Sequence, residues 1–188
     1  LQIRAREIVA RHADPDAWVD HDIPSLKDNF LNVLQAIERN SKGGYRIVYN
    51  LAEHEAGNYL VNFDISSANG KTVTMPAVFQ DVMRDLLANA RKYTPPGGTI
   101  SAGLYDSGTE LRYVVWDTGV GIPEYELDRV VAFGGRGSNT EDRPTRGGGF
   151  GLTKAYYITR RFNGRMWIDS PANSRQGTRI EIRLPRAR

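Results

Sequence analysis

Apolar positions along the chain follow two spacings, and the change between them outlines the elements. Leu26, Phe30, Leu31, Val33, Leu34 and Ile37 recur every three or four residues between Pro24-Ser25 and Ser41-Lys42-Gly43-Gly44, which predicts a helix with one buried face. Phe79, Val82, Met83, Leu86, Leu87 and Ala90 repeat that spacing. They predict a helix that starts with Pro76 at its first position and ends at Tyr93, before Thr94-Pro95-Pro96-Gly97-Gly98. Between these helices, residues 45–50, 59–65 and 72–75 read as strands separated by polar turns. Ile100, Ala102 and Leu104, then Leu111, Tyr113 and Val115, alternate with polar neighbours around Asp106-Ser107-Gly108-Thr109 and predict a hairpin that ends at Asp117. A helix over 152–162 and a hairpin pairing 165–170 with 178–184 close the chain. Residues 118–149 form a long connection rich in Gly and charge, with one short helical stretch at 124–132; in a compact domain such a length belongs to a functional lid or a disordered segment. The opening, to about Trp18, has helix-forming composition broken at Asp14-Pro15.

Composition narrows the class. The 188 residues suit one domain with an appendage, divided at residues 1–22 and 23–188, with the first part a helical appendage or linker from an upstream domain. The chain begins at Leu1 rather than Met and is read as part of something longer. At 40% hydrophobic and 25% charged residues the composition is that of a globular domain with a proper core. No run approaches the ~18 to 20 apolar residues of a membrane span, so no membrane contact by this segment is expected. Zero cysteines exclude disulfides, thiolate zinc sites and cysteine nucleophiles, and fit a reducing, cytoplasmic setting, including that of the cytoplasmic part of a membrane-bound sensor. A net charge of +3 is too weak and dispersed to argue for nucleic acid.

Three polar groupings carry candidate chemistry. On the helix ending at Tyr93, the side chains of Asp85, Asn89, Lys92 and Tyr93 fall within roughly 100° of one another along the edge of the apolar stripe. Taken alone, that is a solvated polar face. Asp117-Thr118-Gly119-Val120-Gly121-Ile122-Pro123 places an acid at a strand end, with glycines that permit close backbone approach to a ligand; alone it reads equally as a turn. Gly147-Gly148-Gly149-Phe150-Gly151-Leu152 precedes a helix and offers backbone N–H groups at the positive end of its dipole, a phosphate cradle in physical terms. It is neither a Walker loop, since no Lys follows Gly151, nor a dinucleotide fingerprint, since Leu152 stands where the third glycine would fall.

In this order the groupings closely resemble the catalytic ATP-binding domain of sensor histidine kinases, in the superfamily that also holds gyrase, the heat-shock 90 chaperones and MutL. Residues 85–95 resemble its asparagine box, Asp117 to Pro123 its first glycine box, residues 133–138 its phenylalanine box, Gly147 to Leu152 its second glycine box, and Gly177-Thr178 a further pair. The likeness covers about residues 72 to 185. It implies a two-layer α/β sandwich of the Bergerat type: a mixed, mostly antiparallel sheet with helices on one face and a mobile ATP lid. The hairpins independently argue for that sheet class.

The resemblance also implies roles. Asn89 would give a side-chain oxygen to Mg²⁺, a hard cation that keeps several waters and needs few protein ligands beside substrate phosphates. Asp117 would accept a hydrogen bond from the adenine amino group, and Gly119, Gly121, Ile122 and Thr178 would line that end of the site. Lys92 and Tyr93 would contact phosphates or ribose, and Gly147, Gly149, Phe150, Gly151 and Leu152 would hold the phosphates. Arg136, Arg143 and Arg146 are lid cations with two readings, contact with the γ-phosphate or a solvated lid. Asp85 stands where the kinases commonly have Asn and the hydrolytic relatives a Glu base; the expected role is orienting a metal-bound water.

His21 resembles an acceptor motif only weakly, because no long helix precedes it. The acceptor histidine is therefore expected on a separate dimerisation and phosphotransfer domain, with a response regulator downstream and a homodimeric full-length protein. The competing readings are a catalytically degenerate nucleotide-binding module acting through protein contacts, and an ATP-hydrolysing or serine-phosphorylating relative.

Overall fold

The two apolar helical stripes meet the same face of a sheet. A computed structural model describes residues 14, 16–138, 149–170 and 177–186. In chain order its elements are β1 (Trp18–Asp22), α1 (Ile23–Asn40), β2 (Ile47–Val48), β3 (Tyr59–Ser67), β4 (Thr72–Pro76), α2 (Phe79–Tyr93), β5 (Thr99–Asp106), β6 (Glu110–Asp117), α3 (Leu127–Val131), α4 (Gly151–Arg161), β7 (Arg165–Asp169) and β8 (Thr178–Pro185). The main sheet has six strands in the order β2-β3-β5-β6-β8-β7, while β1 and β4 form a separate two-stranded sheet. The β2–β3 and β3–β5 pairs are parallel, and β5–β6, β6–β8 and β8–β7 are antiparallel. The predicted two-layer class, with a mixed and mostly antiparallel sheet, is the one observed.

Register explains which side chains are dry. Ile100 faces Asp117, Ala102 faces Val115 and Leu104 faces Tyr113 across β5–β6, and β8 continues the rows with Ile180, Ile182 and Leu184. These even-spaced positions are buried against Phe79, Val82, Met83, Leu86, Leu87 and Ala90 of α2. Tyr113, fully buried, donates its hydroxyl to the Met83 carbonyl at 3.1 Å, and burial raises its pKa far above the ordinary phenol value. The alternate positions of β6 to β8 carry exposed Trp116 and Trp167 and a cluster in which Arg112, Arg179 and Arg183 converge on Glu181. Burial works against ionised Glu181, but the three guanidiniums prevail and hold its carboxyl down at about 2.

The fold departs from the sequence reading at the start of the chain. Trp18–Asp22, placed by composition and by the domain division in an appendage, is a strand antiparallel to β4. Trp18 also packs edge-on against Phe162, with ring centroids 6.0 Å apart. Pro76 is consequently not the first residue of a helix. It ends β4 opposite Trp18, Ala77 N–H donates to the Ala17 carbonyl, and α2 begins at Phe79. A five-residue strand whose partner lies some fifty residues away leaves no local signature. The predicted strand at 45–50 shrinks to Ile47–Val48 because Asn50 caps a 3-10 turn over Leu51–Glu53. Residues 1–13, with most of the opening segment, lie outside the described residues.

Phe79 is fully buried and meets Tyr113 edge-on at 6.0 Å, where α2 begins. Phe79→Ala is expected to cost about 3–5 kcal/mol, lowering the urea midpoint at unchanged m-value; a loss below about 1 kcal/mol would show that the α2–sheet contact is not the core of the domain.

Candidate functional site

The sheet ends at Asp117, and the chain closes around it. Asp117 is the last residue of β6, paired with Ile100 on one side and Thr178 on the other. Its side chain points inward and only 5% of the residue is exposed. Burial pushes its carboxyl up to about 6, although the backbone N–H groups of Gly119 and Thr178 and the Thr94 hydroxyl favour the ionised form. The Gly119 N–H donates to Oδ1 at 2.8 Å.

Two glycines make that geometry possible. Gly177 has φ +66°, and a Cβ there would lie 1.7 Å from the Asp117 carbonyl oxygen. A Cβ on Gly119 would lie 2.6 Å from both Asp117 Oδ1 and the Tyr93 carbonyl oxygen. Side chains at either place would drive the C-terminus of α2, the end of β6 and the start of β8 apart. A hydroxyl pair ties the same region together: Ser170 Oγ accepts from the Ile122 N–H at 2.6 Å and stands 2.9 Å from Thr178 Oγ1.

Asp117 lies in the wall of a cavity of about 310 Å³ between α2, the sheet and the start of α4. Asp85, Asn89, Lys92 and Tyr93 line it from α2; Asp117, Gly121, Ile122 and Thr178 line it from the strand ends; Arg136 lines it from the segment after α3, and Gly149, Phe150, Gly151 and Leu152 from the start of α4. Three groupings separated by many residues in sequence therefore face one space. Gly119 is not in the lining but braces Asp117. Arg143, Arg146 and Gly147 lie outside the described residues.

The described segments that end at Ser138 and begin at Gly149 clasp each other. Phe133 and Phe150 meet in a tilted ring contact with centroids 4.7 Å apart, and Thr153 Oγ1 donates to the Ala132 carbonyl at 2.8 Å. The first turn of α4 abuts α2, since a Cβ on Gly151 would lie 2.8 Å from Asn89 Nδ2. One turn further on, the Lys154 ammonium forms an ion pair with the Asp85 carboxylate.

Sequence reasoning missed the apolar walls of this space: Leu86 and Val115 read simply as core, and Val130 and Ile180 were given no part. The register supplies the signal, since Val115 and Ile180 are the inward residues immediately before and after the Asp117–Thr178 pair. Ser170 and Lys154 were also missed.

Apolar walls, one buried carboxylate among backbone donors, and a glycine-flanked helix N-terminus together suit a flat heterocycle carrying an anionic tail. Among the described residues no group of three or more His, Asp or Glu could hold a metal ion. The Asn89 amide beside Asp85 fits an ion such as Mg²⁺, which takes few protein ligands and completes its shell with phosphate oxygens and water.

Comparison with known proteins shows the family and the fold. Residues 75–188 match the histidine kinase-, DNA gyrase B-, and HSP90-like ATPases, and the chain belongs to that family. Sensor histidine kinase Hik2 of Thermosynechococcus vestitus is 39% identical over 108 residues, covering 57% of this chain and 28% of that protein. The chain thus matches little more than a quarter of that relative. Among solved structures, the mycobacterial sensor histidine kinase MprB superposes with a TM-score of 0.60 at 23% identity, covering 90% of this chain and 97% of that one. Full-length ShkA in complex with AMPPNP gives a TM-score of 0.60 at 18% identity, covering 90% and 31%. These two show the fold.

The raised value of Asp117 has a consequence for stability. Its folded pKa, about 6, exceeds the ordinary 3.8, so its stabilising contribution is complete below 3.8 and is lost as pH rises through 6. Urea unfolding of the protein and of Asp117→Asn, compared pairwise from pH 4 to 7, is expected to show the wild type losing roughly 2–3 kcal/mol relative to the variant. A pH-independent difference would mean that the carboxylate is solvated.

Proposed function

We propose that the chain is the catalytic domain of a two-component sensor histidine kinase, which binds Mg²⁺-ATP and donates its γ-phosphoryl group to a histidine on a separate dimerisation and phosphotransfer domain. The observation that carries this reading is the convergence of Asp117, Asn89 and the Gly149–Leu152 helix start on one cavity. Family membership and the kinase relatives support it.

Asp117 accepts the adenine amino hydrogen. Guanine presents an oxygen at that position, and two acceptors facing each other repel. Gly121, Ile122 and Thr178 bound the base. Lys92 and Tyr93 face the ribose or phosphates, and the backbone N–H groups at the start of α4, with Gly147 and Gly149, hold the polyphosphate through the helix dipole. Asn89 gives its side-chain oxygen to Mg²⁺, which when bound neutralises phosphate charge. Arg136 and Arg146 approach the γ-phosphate from the lid.

The protein supplies position and electrostatics rather than a nucleophile. The incoming imidazole nitrogen forms the new P–N bond as the bond to the ADP oxygen breaks, and ADP leaves with that electron pair. Residues 1–22 are the connection toward the acceptor domain, their last five built into this domain as β1. The full-length protein is a homodimer that passes phosphate to a response regulator, with this segment cytoplasmic, either in a cytoplasmic protein or in the cytoplasmic part of a membrane-bound sensor. No helix among the described residues is long and apolar enough to cross a membrane.

Calorimetric titration of ATP and GTP into the protein and into Asp117→Asn tests the adenine site. ATP is expected to bind more tightly than GTP by ~10- to 150-fold, the worth of one charge-assisted hydrogen bond, with that preference lost in the variant. Equal binding of the two nucleotides, or none, would overturn the reading.

A further inference from the structure

Four charged side chains stand among the described residues of the cavity wall, Asp85, Asp117, Lys92 and Arg136. Asp117 is held by backbone donors at the end where β6 and β8 meet. Asp85 is the second carboxylate, and it lies on the α2 face that meets the first turns of α4. A polyanion held at that helix start lies beside it. An acid there opposes such a ligand unless its charge is matched.

The two α2 side chains that face this region are each met by α4 in turn. Asn89 and Asp85 are one helical turn apart, and so are their partners: Gly151 lies against the Asn89 amide and Lys154 pairs with the Asp85 carboxylate. Lys154 itself is not in the cavity wall. Asp85 is part of the wall of the proposed nucleotide site, and the nucleotide reading leaves Lys154 without a role.

We propose that Lys154 is a positioning residue that acts on the nucleotide through Asp85: its ammonium fixes that carboxylate against α4 and cancels its charge, so that the adjacent helix start accepts polyphosphate. The inference rests on the proposed nucleotide site. Both partners remain over a third exposed, at 38% and 35%, so water and salt weaken the effect without removing it.

The test compares ADP with adenosine, which shares the base and ribose and lacks the phosphates, by calorimetry in chelator at low salt. Lys154→Met is expected to weaken ADP binding by about fivefold and adenosine binding by less than about twofold, with the ADP loss shrinking in about 0.5 M salt. Lys154→Arg keeps wild-type ADP affinity, and Asp85→Asn added to Lys154→Met restores it. Adenosine affinity doubles as the control for folding. Unchanged ADP affinity in Lys154→Met, or an equal loss of adenosine, overturns the proposal. An ADP loss that persists after Asp85→Asn also overturns it, because Lys154 would then contact the phosphates itself. A wild-type protein that binds neither compound removes the nucleotide site on which the proposal stands.

Discussion

A carboxylate kept almost dry at the end of a central strand is the constraint around which this domain is arranged. Asp117 can remain there only because backbone donors reach it, and those donors reach it only because Gly119 and Gly177 let three segments approach at distances no side chain would permit. The C-terminus of α2, the end of β6 and the start of β8 are thereby fixed relative to one another. Burial raises the carboxyl to about 6, so at neutral pH it is still an anion but a more basic one, suited to accept from a ligand donor that enters the same dry space.

The rest of the cavity is built outward from that point along α2. The apolar stripe of this helix, Phe79 to Ala90, is pressed into the sheet, so its polar edge has one orientation available, and that edge faces α4. The helix therefore links the core to the site: the packing that stabilises the domain also aims Asn89 and Asp85. At its other end α2 follows β4 after two residues, and β4 is paired with β1, so the first described strand braces the start of the helix that carries the site.

Legibility in the sequence followed the range of the interactions involved. The α2 stripe, the β5–β6 hairpin and the glycine-flanked helix start are local patterns, and each was readable from spacing alone. So was the convergence of the boxes, once their order suggested a family. The pairing of β1 with β4 was not readable, because five residues of mixed polarity acquire strand character only from a partner far along the chain. Pro76 was misread for the same reason, since a proline before an apolar helix fits a first helical turn until the strand opposite it is known. Val115 reads as core and is also cavity wall, as is Ile180 beside it; only the register with Asp117 and Thr178 separates the two roles. Lys154 gave no signal because its partner, Asp85, lies on another helix.

The most direct test of the central claim is a crystal structure of the protein with a non-hydrolysable ATP analogue. The expected result is an adenine amino nitrogen within about 3 Å of an Asp117 carboxylate oxygen, with the phosphates at the start of α4 beside Asn89. A base turned away from Asp117, or an analogue bound outside the cavity, would contradict it.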